Sequence, residues 1–277
     1  MPRTPRDPNV IWVLLAAWNE EGVIRGLLLD LAQTLPGRTE PFRVVLVDDG
    51  SSDRTRAEAE RATQEAGASL PLEILVHQEN RGLGAALRTG IAWILDRADD
   101  DDVLVTMDAD RTHPPGLIPT LVSQVRAGAD VAIASRYRPG AVVEGVPSHR
   151  RVLSEIARVL FQVLYPIPGV RDYTCCFRAY RVPVLRRARG IYGDALCTQR
   201  GFEAVVDLLL RLGPLGIRVA ETGFELRYAE RARASKMKVM RTIFSSVGLL
   251  ARRRWERWTR YTPERLARLE AGAGRAS

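Results

Sequence analysis

The chain predicts an α/β fold, a mostly parallel sheet covered by helices on both faces, and three observations predict it. Short apolar runs alternate with amphipathic stretches through the first half of the chain. Those runs are rich in Val, Ile and Leu and lack the polar alternation of a half-exposed strand, which is the pattern of strands buried on both faces. Several of them end in Asp, Asn or Glu followed by helix-starting residues, as strand-to-helix turns do in open α/β sheets.

In chain order, strands are expected at Ile11–Trp18, Phe42–Asp49, Leu72–His77, Asp102–Asp108 and Val131–Tyr137. Between them, Ile24, Leu27, Leu28 and Leu31 fall at i, i+3, i+4, i+7, and Leu87, Ile91, Ile94 and Leu95 repeat a similar face. Both stripes read as scaffold packing. After Tyr137 the alternation stops, and a Pro/Gly-containing loop, Arg138–Pro147, leads into an apolar helix at Val152–Tyr165. A helix at Phe202–Leu212, a strand at Val219–Tyr228 and a long helix from Met240 to about Arg260 complete the expected elements. The Ala/Gly-rich residues Ala271–Ser277 are expected to fray.

Composition narrows the function classes. The 277 residues are 46% apolar and 27% charged, as in ordinary globular proteins, and 41 basic against 33 acidic side chains give a net charge of +8. Such a balance favours an anionic partner: a nucleic acid, a phosphorylated ligand or an acidic membrane surface. Aromatic residues are only 6% and are not interleaved with the basic ones as stacking platforms, which ranks a nucleic-acid module last. The longest apolar run, Val10–Trp18, has nine residues where a spanning helix takes about 20, so no transmembrane anchor is expected. Three cysteines, Cys175, Cys176 and Cys197, give neither a disulfide framework nor a zinc spacing, and a cytoplasmic setting with reduced thiols is expected.

Carboxylates at the strand ends carry the chemistry. The first strand ends in Trp18-Asn19-Glu20, the second in Asp48-Asp49-Gly50-Ser51-Ser52-Asp53, the fourth in Asp108-Ala109-Asp110. Helix capping accounts for any one of these more easily than for all three. In an extended segment residues i and i+2 point the same way, so Asp108 and Asp110 can face one pocket. Their mutual repulsion is relieved by a divalent cation, and hard carboxylate oxygens suit Mg²⁺ or Mn²⁺ bridging to the phosphates of a ligand.

Four segments together resemble the family-2 inverting glycosyltransferases of the GT-A nucleotide-sugar fold, and within them the dolichol- and polyprenol-phosphate mannose synthases. They are Ala16-Ala17-Trp18-Asn19-Glu20, Val47–Asp53, Asn80-Arg81-Gly82-Leu83-Gly84-Ala85-Ala86, and Asp108-Ala109-Asp110 with His113-Pro114-Pro115 following. Ser135-Arg136-Tyr137, Val143–Pro147, Arg150-Arg151, Asp172–Arg178 and Ser235-Lys236 continue in the order found in that family. The resemblance covers roughly residues 10–240. It divides the chain into a tail (residues 1–9), a GT-A domain (residues 10–236), an amphipathic helix (residues 237–262) and a flexible tail (residues 263–277).

The resemblance implies transfer of a hexose, mannose or glucose, from a GDP- or UDP-sugar to a polyprenyl phosphate. Ala16, Trp18, Glu20, Val47 and Asp49 would hold the nucleoside; Asp108, Ala109 and Asp110 would bind the metal and the diphosphate. Arg136, Arg150 and Ser154 would face the acceptor phosphate or the donor diphosphate, and Arg231 and Lys236 the donor phosphates. Ala16 and Trp18 replace the family's usual Pro and Tyr, leaving guanine and uracil both open; Thr112 stands where a Gln is frequent; and the Arg231–Lys236 stretch is shorter than usual and lacks its glycine. With a phosphate nucleophile no strong general base is required. A soluble hydroxyl acceptor is the alternative, and it would need a carboxylate base such as Glu203 or Asp194. Leu153, Ile156, Leu160 and Leu164 on one helix, with Ile243, Phe244, Val247, Leu250, Arg252–Arg254, Trp255 and Trp258 on the last, suit peripheral contact with a membrane surface.

Overall fold

In a computed structural model the described residues are 9–37, 40–144, 148–227 and 248–256, with the single positions 259, 261 and 265. The five expected strands of the first half are all present: β1 (Ile11–Ala17), β2 (Phe42–Asp48), β3 (Leu72–Val76), β4 (Val103–Asp108) and β5 (Val131–Ser135). Four helices alternate with them: α1 (Ile24–Thr34), α2 (Thr55–Ala66), α3 (Leu83–Leu95) and α4 (Ile118–Arg126). The second half adds β6 (Val142–Glu144), α5 (Ser148–Leu164), β7 (Arg178–Arg181), α6 (Val182–Tyr192), α7 (Glu203–Leu212), β8 (Val219–Gly223) and β9 (Glu225–Arg227). A terminal helical segment occupies residues 248–256.

Seven strands form one sheet in the order β3-β2-β1-β4-β7-β5-β8, all parallel except β7, which runs antiparallel to both neighbours. β1 lies between β2 and β4 and is sealed: Ile11, Val13, Leu14 and Leu15 have no exposed surface. The Ile24, Leu27, Leu28, Leu31 stripe of α1 is equally buried, each such side chain contributing about 1.5–3 kcal/mol of transfer free energy. Gly90 of α3 lies so close to β1 that a Cβ there would stand 2.2 Å from Leu14 Cδ1.

Three departures from the sequence reading have physical reasons. β7 carries Arg178 and Arg181 and shows no apolar run, yet Arg178 is fully buried with Nη1 donating to Val205 O and Nη2 to Tyr173 O. The expected loop at Arg138–Pro147 contains β6, which pairs with β9, and the expected strand at Val219–Tyr228 breaks at Phe224 so that β8 stays in the main sheet while β9 joins β6. Finally, the faces expected to meet a membrane are partly turned inward. On α5, Leu164 packs against the core beside Phe161, and among the described side chains the exposed apolar ones are Ile156 (55%), Val159 (49%) and Val163 (68%), that of Leu153 lying outside them. On the terminal segment Leu250 is buried, as is the middle arginine of the Arg252–Arg254 cluster. Ile243, Phe244, Val247 and Trp258 lie outside the described residues.

Candidate active site

The order of β1 between β2 and β4 makes a topological switch point, where the chain leaves β1 toward one side and later returns on the other. Register fixes what meets there. Ala16 pairs with Val47 of β2 and with Asp108 of β4, and Ala17 with Asp48, so the nucleoside-side and metal-side candidates share one level across three adjacent strands.

The loops after β1 and β2 are stitched together. Asn19, in the left-handed region at φ 55°, donates its N–H to Ser51 Oγ (2.9 Å) and accepts from Ser52 N–H on Oδ1 (2.8 Å). Glu20 N–H donates to Thr55 Oγ1 at 2.7 Å, and Ser51 N–H to Asp48 Oδ1 at 3.0 Å. On this rim Trp18 is 42% exposed.

Asp49 is buried and faces the turn before α3. It accepts from Arg81 N–H (3.0 Å) and Gly82 N–H (2.7 Å), and its Oδ1 lies 2.6 Å from His77 Nδ1, whose Nε2 reaches Thr89 Oγ1 at 3.0 Å. Asp49 therefore fixes the 80–82 turn. Gly82 can do this because its φ of 92° suits only glycine and because a Cβ would meet Arg200 O at 2.4 Å.

At the tip of β4 the Asp108 side chain is 27% exposed and Asp110 is buried. Asp110 Oδ1 accepts from the Thr112 hydroxyl at 2.7 Å, so Thr112 orients that carboxylate. His113 supports the other one: its Nδ1 accepts the Asp108 N–H at 3.1 Å, which places the ring hydrogen on Nε2, 3.7 Å from Asp108 Oδ2. The ring is held between Phe177, stacked at 5.1 Å, and Phe224, edge-on at 5.8 Å. Among the described residues no cluster of three or more His, Cys, Asp or Glu side chains could enclose an ion. Two carboxylates with the remaining positions left to water and phosphate oxygen is the donor set that suits Mg²⁺ or Mn²⁺ rather than a closed protein cage.

Arg136 follows β5. Its Nε and Nη2 fork onto Asp172, each at 2.8 Å, Nη2 also donates to Thr174 Oγ1, and among the described residues Nη1 makes no hydrogen bond. Asp172 has no exposed surface; burial pushes its carboxyl up, but the Arg136 charge together with the hydrogen bonds from its guanidinium and from the Arg136 and Thr174 N–H groups outweighs burial and holds it at about 2. Conversely, burial acts against the Arg136 charge and Asp172 more than restores it, raising the guanidinium above its ordinary value. Tyr137, next in sequence, donates its hydroxyl to Ser154 O at 3.2 Å, tying α5 to the end of β5. Burial raises that phenol to about 12. Arg150 and Ser154 stand four residues apart on α5 and so share a helix face.

The remaining candidates sort as follows. Arg231 and Lys236 lie outside the described residues. Glu203 opens α7 and is partly buried, and Asp194 sits exposed in a 3₁₀ turn. Cys175, Cys176 and Cys197 are free and buried, and burial raises the Cys175 and Cys197 thiols to about 12, which suits packing and not nucleophilic chemistry. Sequence reasoning gave no role to Asp172, His77 or Tyr137. The polar run Asp172-Tyr173-Thr174 was the one signal available for the first of these.

Residues 12–189 match the glycosyl transferase family 2 domain family. The chain is 36% identical to the polyprenol monophosphomannose synthase of Mycolicibacterium smegmatis over 79% of its own length and 78% of that protein. It is 30% identical to the dolichol-phosphate mannosyltransferase of Pyrococcus furiosus over 88% of its own length but spans only 64% of that longer relative. An undecaprenyl-phosphate mannosyltransferase of Micrococcus luteus is 34% identical over 64% of this chain and 69% of that protein. In three dimensions it resembles glucosyl-3-phosphoglycerate synthase of Mycobacterium tuberculosis, solved with Mn²⁺, UDP-glucose and phosphoglyceric acid, with a TM-score of 0.65 at 20% identity over 88% of this chain and 79% of that one. At that identity the likeness speaks for the GT-A fold alone. Sheet, switch point and extent of the match lead to one conclusion: the chain belongs to glycosyl transferase family 2.

Proposed function

We propose that the protein transfers a hexose, mannose or glucose, from a nucleoside-diphosphate sugar to a polyprenyl phosphate, with inversion at the anomeric carbon. The observation that carries this reading is Arg136. A guanidinium braced by a buried carboxylate, with Nη1 unbonded among the described residues, stands at the same sheet edge as the Asp108–Asp110 pair. One strand, β7, lies between β4 and β5, so at 4.7–4.9 Å per strand the two features are about 10 Å apart, room for a sugar between two phosphate groups. The mannosyltransferase relatives, named for polyprenyl or dolichyl acceptors, support the acceptor class.

In this reading Trp18 and the Ala16–Val47 floor receive the nucleoside, and Asp49 acts by fixing the 80–82 turn against it. Asp108 and Asp110 would hold Mg²⁺ or Mn²⁺, which when bound supplies charge neutralisation of the departing diphosphate. Lys236 and Arg231 are proposed to add positive charge there. Arg136, through Nη1, and the Arg150–Ser154 face orient the acceptor phosphate. Its oxygen is already anionic at neutral pH, so attack in line with the leaving group needs positioning and no general base.

A lipid acceptor calls for an interface. Among the described residues no helix is long and apolar enough to cross a membrane. The exposed stripe Ile156, Val159, Val163 is proposed to meet the membrane surface. The terminal segment sits beside its end, Arg254 Nη1 donating to Leu164 O at 3.0 Å, and adds exposed Trp255 and the exposed charges of Arg252 and Arg254. The test is incubation of the protein with Mn²⁺ or Mg²⁺, GDP- or UDP-hexose and a short-chain polyprenyl phosphate, with detection of lipid-linked sugar. Product that forms equally well with an Asp108→Ala, Asp110→Ala double variant would contradict the metal assignment, and transfer only to hydroxyl acceptors would contradict the lipid phosphate.

A further inference from the structure

In sequence, Arg252-Arg253-Arg254 is one basic cluster, but the fold splits it. Arg252 and Arg254 are exposed, whereas Arg253 is 4% exposed and turned onto Asp207 of α7, which has no exposed surface. Arg253 Nε donates to Asp207 Oδ1 at 2.6 Å and Nη2 to Oδ2 at 3.0 Å, the two-pronged geometry available to arginine and not to lysine. Nη2 also donates to Thr198 Oγ1 at 3.0 Å, while the Thr198 hydroxyl and N–H both donate to Asp207 Oδ2, each at 3.0 Å. The three residues form a closed knot that fixes the start of the loop between the 3₁₀ turn at Gly193–Leu196 and α7.

That loop lies directly on the turn before α3. A Cβ added to Gly84 would stand 1.8 Å from Gln199 O, and one added to Gly82 would stand 2.4 Å from Arg200 O, so backbone touches backbone. Arg88 Nη1 donates to Cys197 O at 2.6 Å and Arg200 Nη2 to Asn80 O at 3.4 Å, adding two ties across the same seam. From the other side the turn is held by Asp49, backed by His77. The 80–84 turn is thus gripped between the end of β2 and a loop whose own position depends on a side chain from the far C-terminal segment.

We propose that Arg253 is a positioning residue for the donor site: by pinning Asp207 and Thr198 it fixes the 197–200 loop, and through it the 80–84 turn against which the nucleoside binds. The identity of the occupant rests on the donor reading given above; the grip on the turn does not. A buried ion pair adds little net stability compared with apolar residues of similar size, because desolvation offsets its attraction, but it admits few alternative geometries. The charge on Arg253 is opposed by burial and upheld by Asp207 and Glu256, so it persists through the physiological range.

The experiment uses the full chain with Arg253→Met, Arg253→Lys and the double variant Asp207→Asn, Arg253→Met. The double variant keeps an oxygen for Thr198 while removing the uncompensated buried charge, and it serves if Arg253→Met alone does not fold. Amide hydrogen exchange is followed in peptides covering residues 77–90 and 195–203, and GDP and UDP binding is measured with Mn²⁺ by titration calorimetry. The expected result is faster exchange in both peptides and nucleotide affinity weakened roughly fivefold or more, the lower end of ordinary coupling between sites, with partial recovery in Arg253→Lys. Faster exchange confined to the terminal segment and α7, with the 80–84 turn and nucleotide affinity unchanged, overturns the proposal and leaves Arg253 a purely structural residue. Faster exchange of the turn in a protein whose wild type binds neither nucleotide overturns the donor reading and leaves the grip standing.

Discussion

Replacing Arg136 by Gln removes the one cation bonded to Asp172 among the described residues, and the structure sets the size of the effect. Asp172 is fully buried, and its carboxyl is held at about 2 from an ordinary 3.8, a difference that corresponds to about 2 kcal/mol of stability at neutral pH. The N–H groups of Arg136 (3.1 Å), Thr174 (3.2 Å) and Cys175 (3.0 Å) still donate to the carboxylate in the variant, so it remains hydrogen-bonded but uncompensated. Breaking a buried pair in this way costs about 3–5 kcal/mol. At ~2–4 °C per kcal/mol, the melting temperature at pH 7 falls by roughly 10 °C. The sign with pH follows from the depressed carboxyl. In the wild type the Asp172 contribution is complete above the unfolded value and is lost as pH falls through about 2; in the variant burial, the largest single influence, is opposed only by the backbone N–H donors and raises the carboxyl. The gap between variant and wild type therefore narrows on acidification from pH 7 to pH 4. Differential scanning fluorimetry over that range measures it, and Asp172→Asn in the Arg136→Gln background should recover part of the loss. A variant that melts within a degree or two of the wild type at pH 7, with no recovery on adding Asp172→Asn, refutes the account of Arg136 as the counter-ion that makes Asp172 tolerable.

Three other outcomes are expected. Gly84→Ala forces a Cβ onto Gln199 O and should destabilise by about 1–3 kcal/mol, read by urea unfolding, with weakened nucleotide binding beside it; a neutral change contradicts the close approach of loop and turn. Ile156→Asp with Val159→Asp and Val163→Asp should leave thermal stability intact while lowering binding to vesicles containing anionic lipid by at least about a hundredfold, since each buried Val or Ile contributes about 1.5–3 kcal/mol; unchanged sedimentation with vesicles removes α5 from the interface. Asp108→Asn should abolish the rise in melting temperature that Mn²⁺ with GDP or UDP produces in the wild type, and a full shift retained by the variant contradicts Asp108 as a ligand.

The parallel half of the fold was legible because its signal is local. Strands sealed on both faces must be apolar throughout, so β1, β2, β4 and β5 announce themselves, and the carboxylates at their ends stand out against that background. β7 was not legible: its two arginines mask a buried strand, because what makes Arg178 tolerable is a pair of carbonyls, Val205 O and Tyr173 O, from elsewhere in the chain.

The site shows the same division. The motif order pointed to Asp108, Asp110 and Arg136, but β4 ends at Asp108 and residues 109–110 form a turn, so the extended geometry expected to align the two carboxylates stops short of the second. That Asp172 braces Arg136, and that Asp49 turns to His77 and the 80–82 turn, required residues 28 to 36 positions apart to be placed side by side. The basic cluster makes the point most sharply. Composition sees three equivalent arginines at 252–254, while the packing of the terminal segment on α7 sends one to Asp207 and leaves its neighbours exposed. The order of residues determined which segments would be sheet and helix and which carboxylates would line its edge, because those follow from periodicity over a few positions. Only the tertiary structure decided which charges would be buried in pairs and which left exposed, because desolvation depends on what the rest of the chain brings against each group.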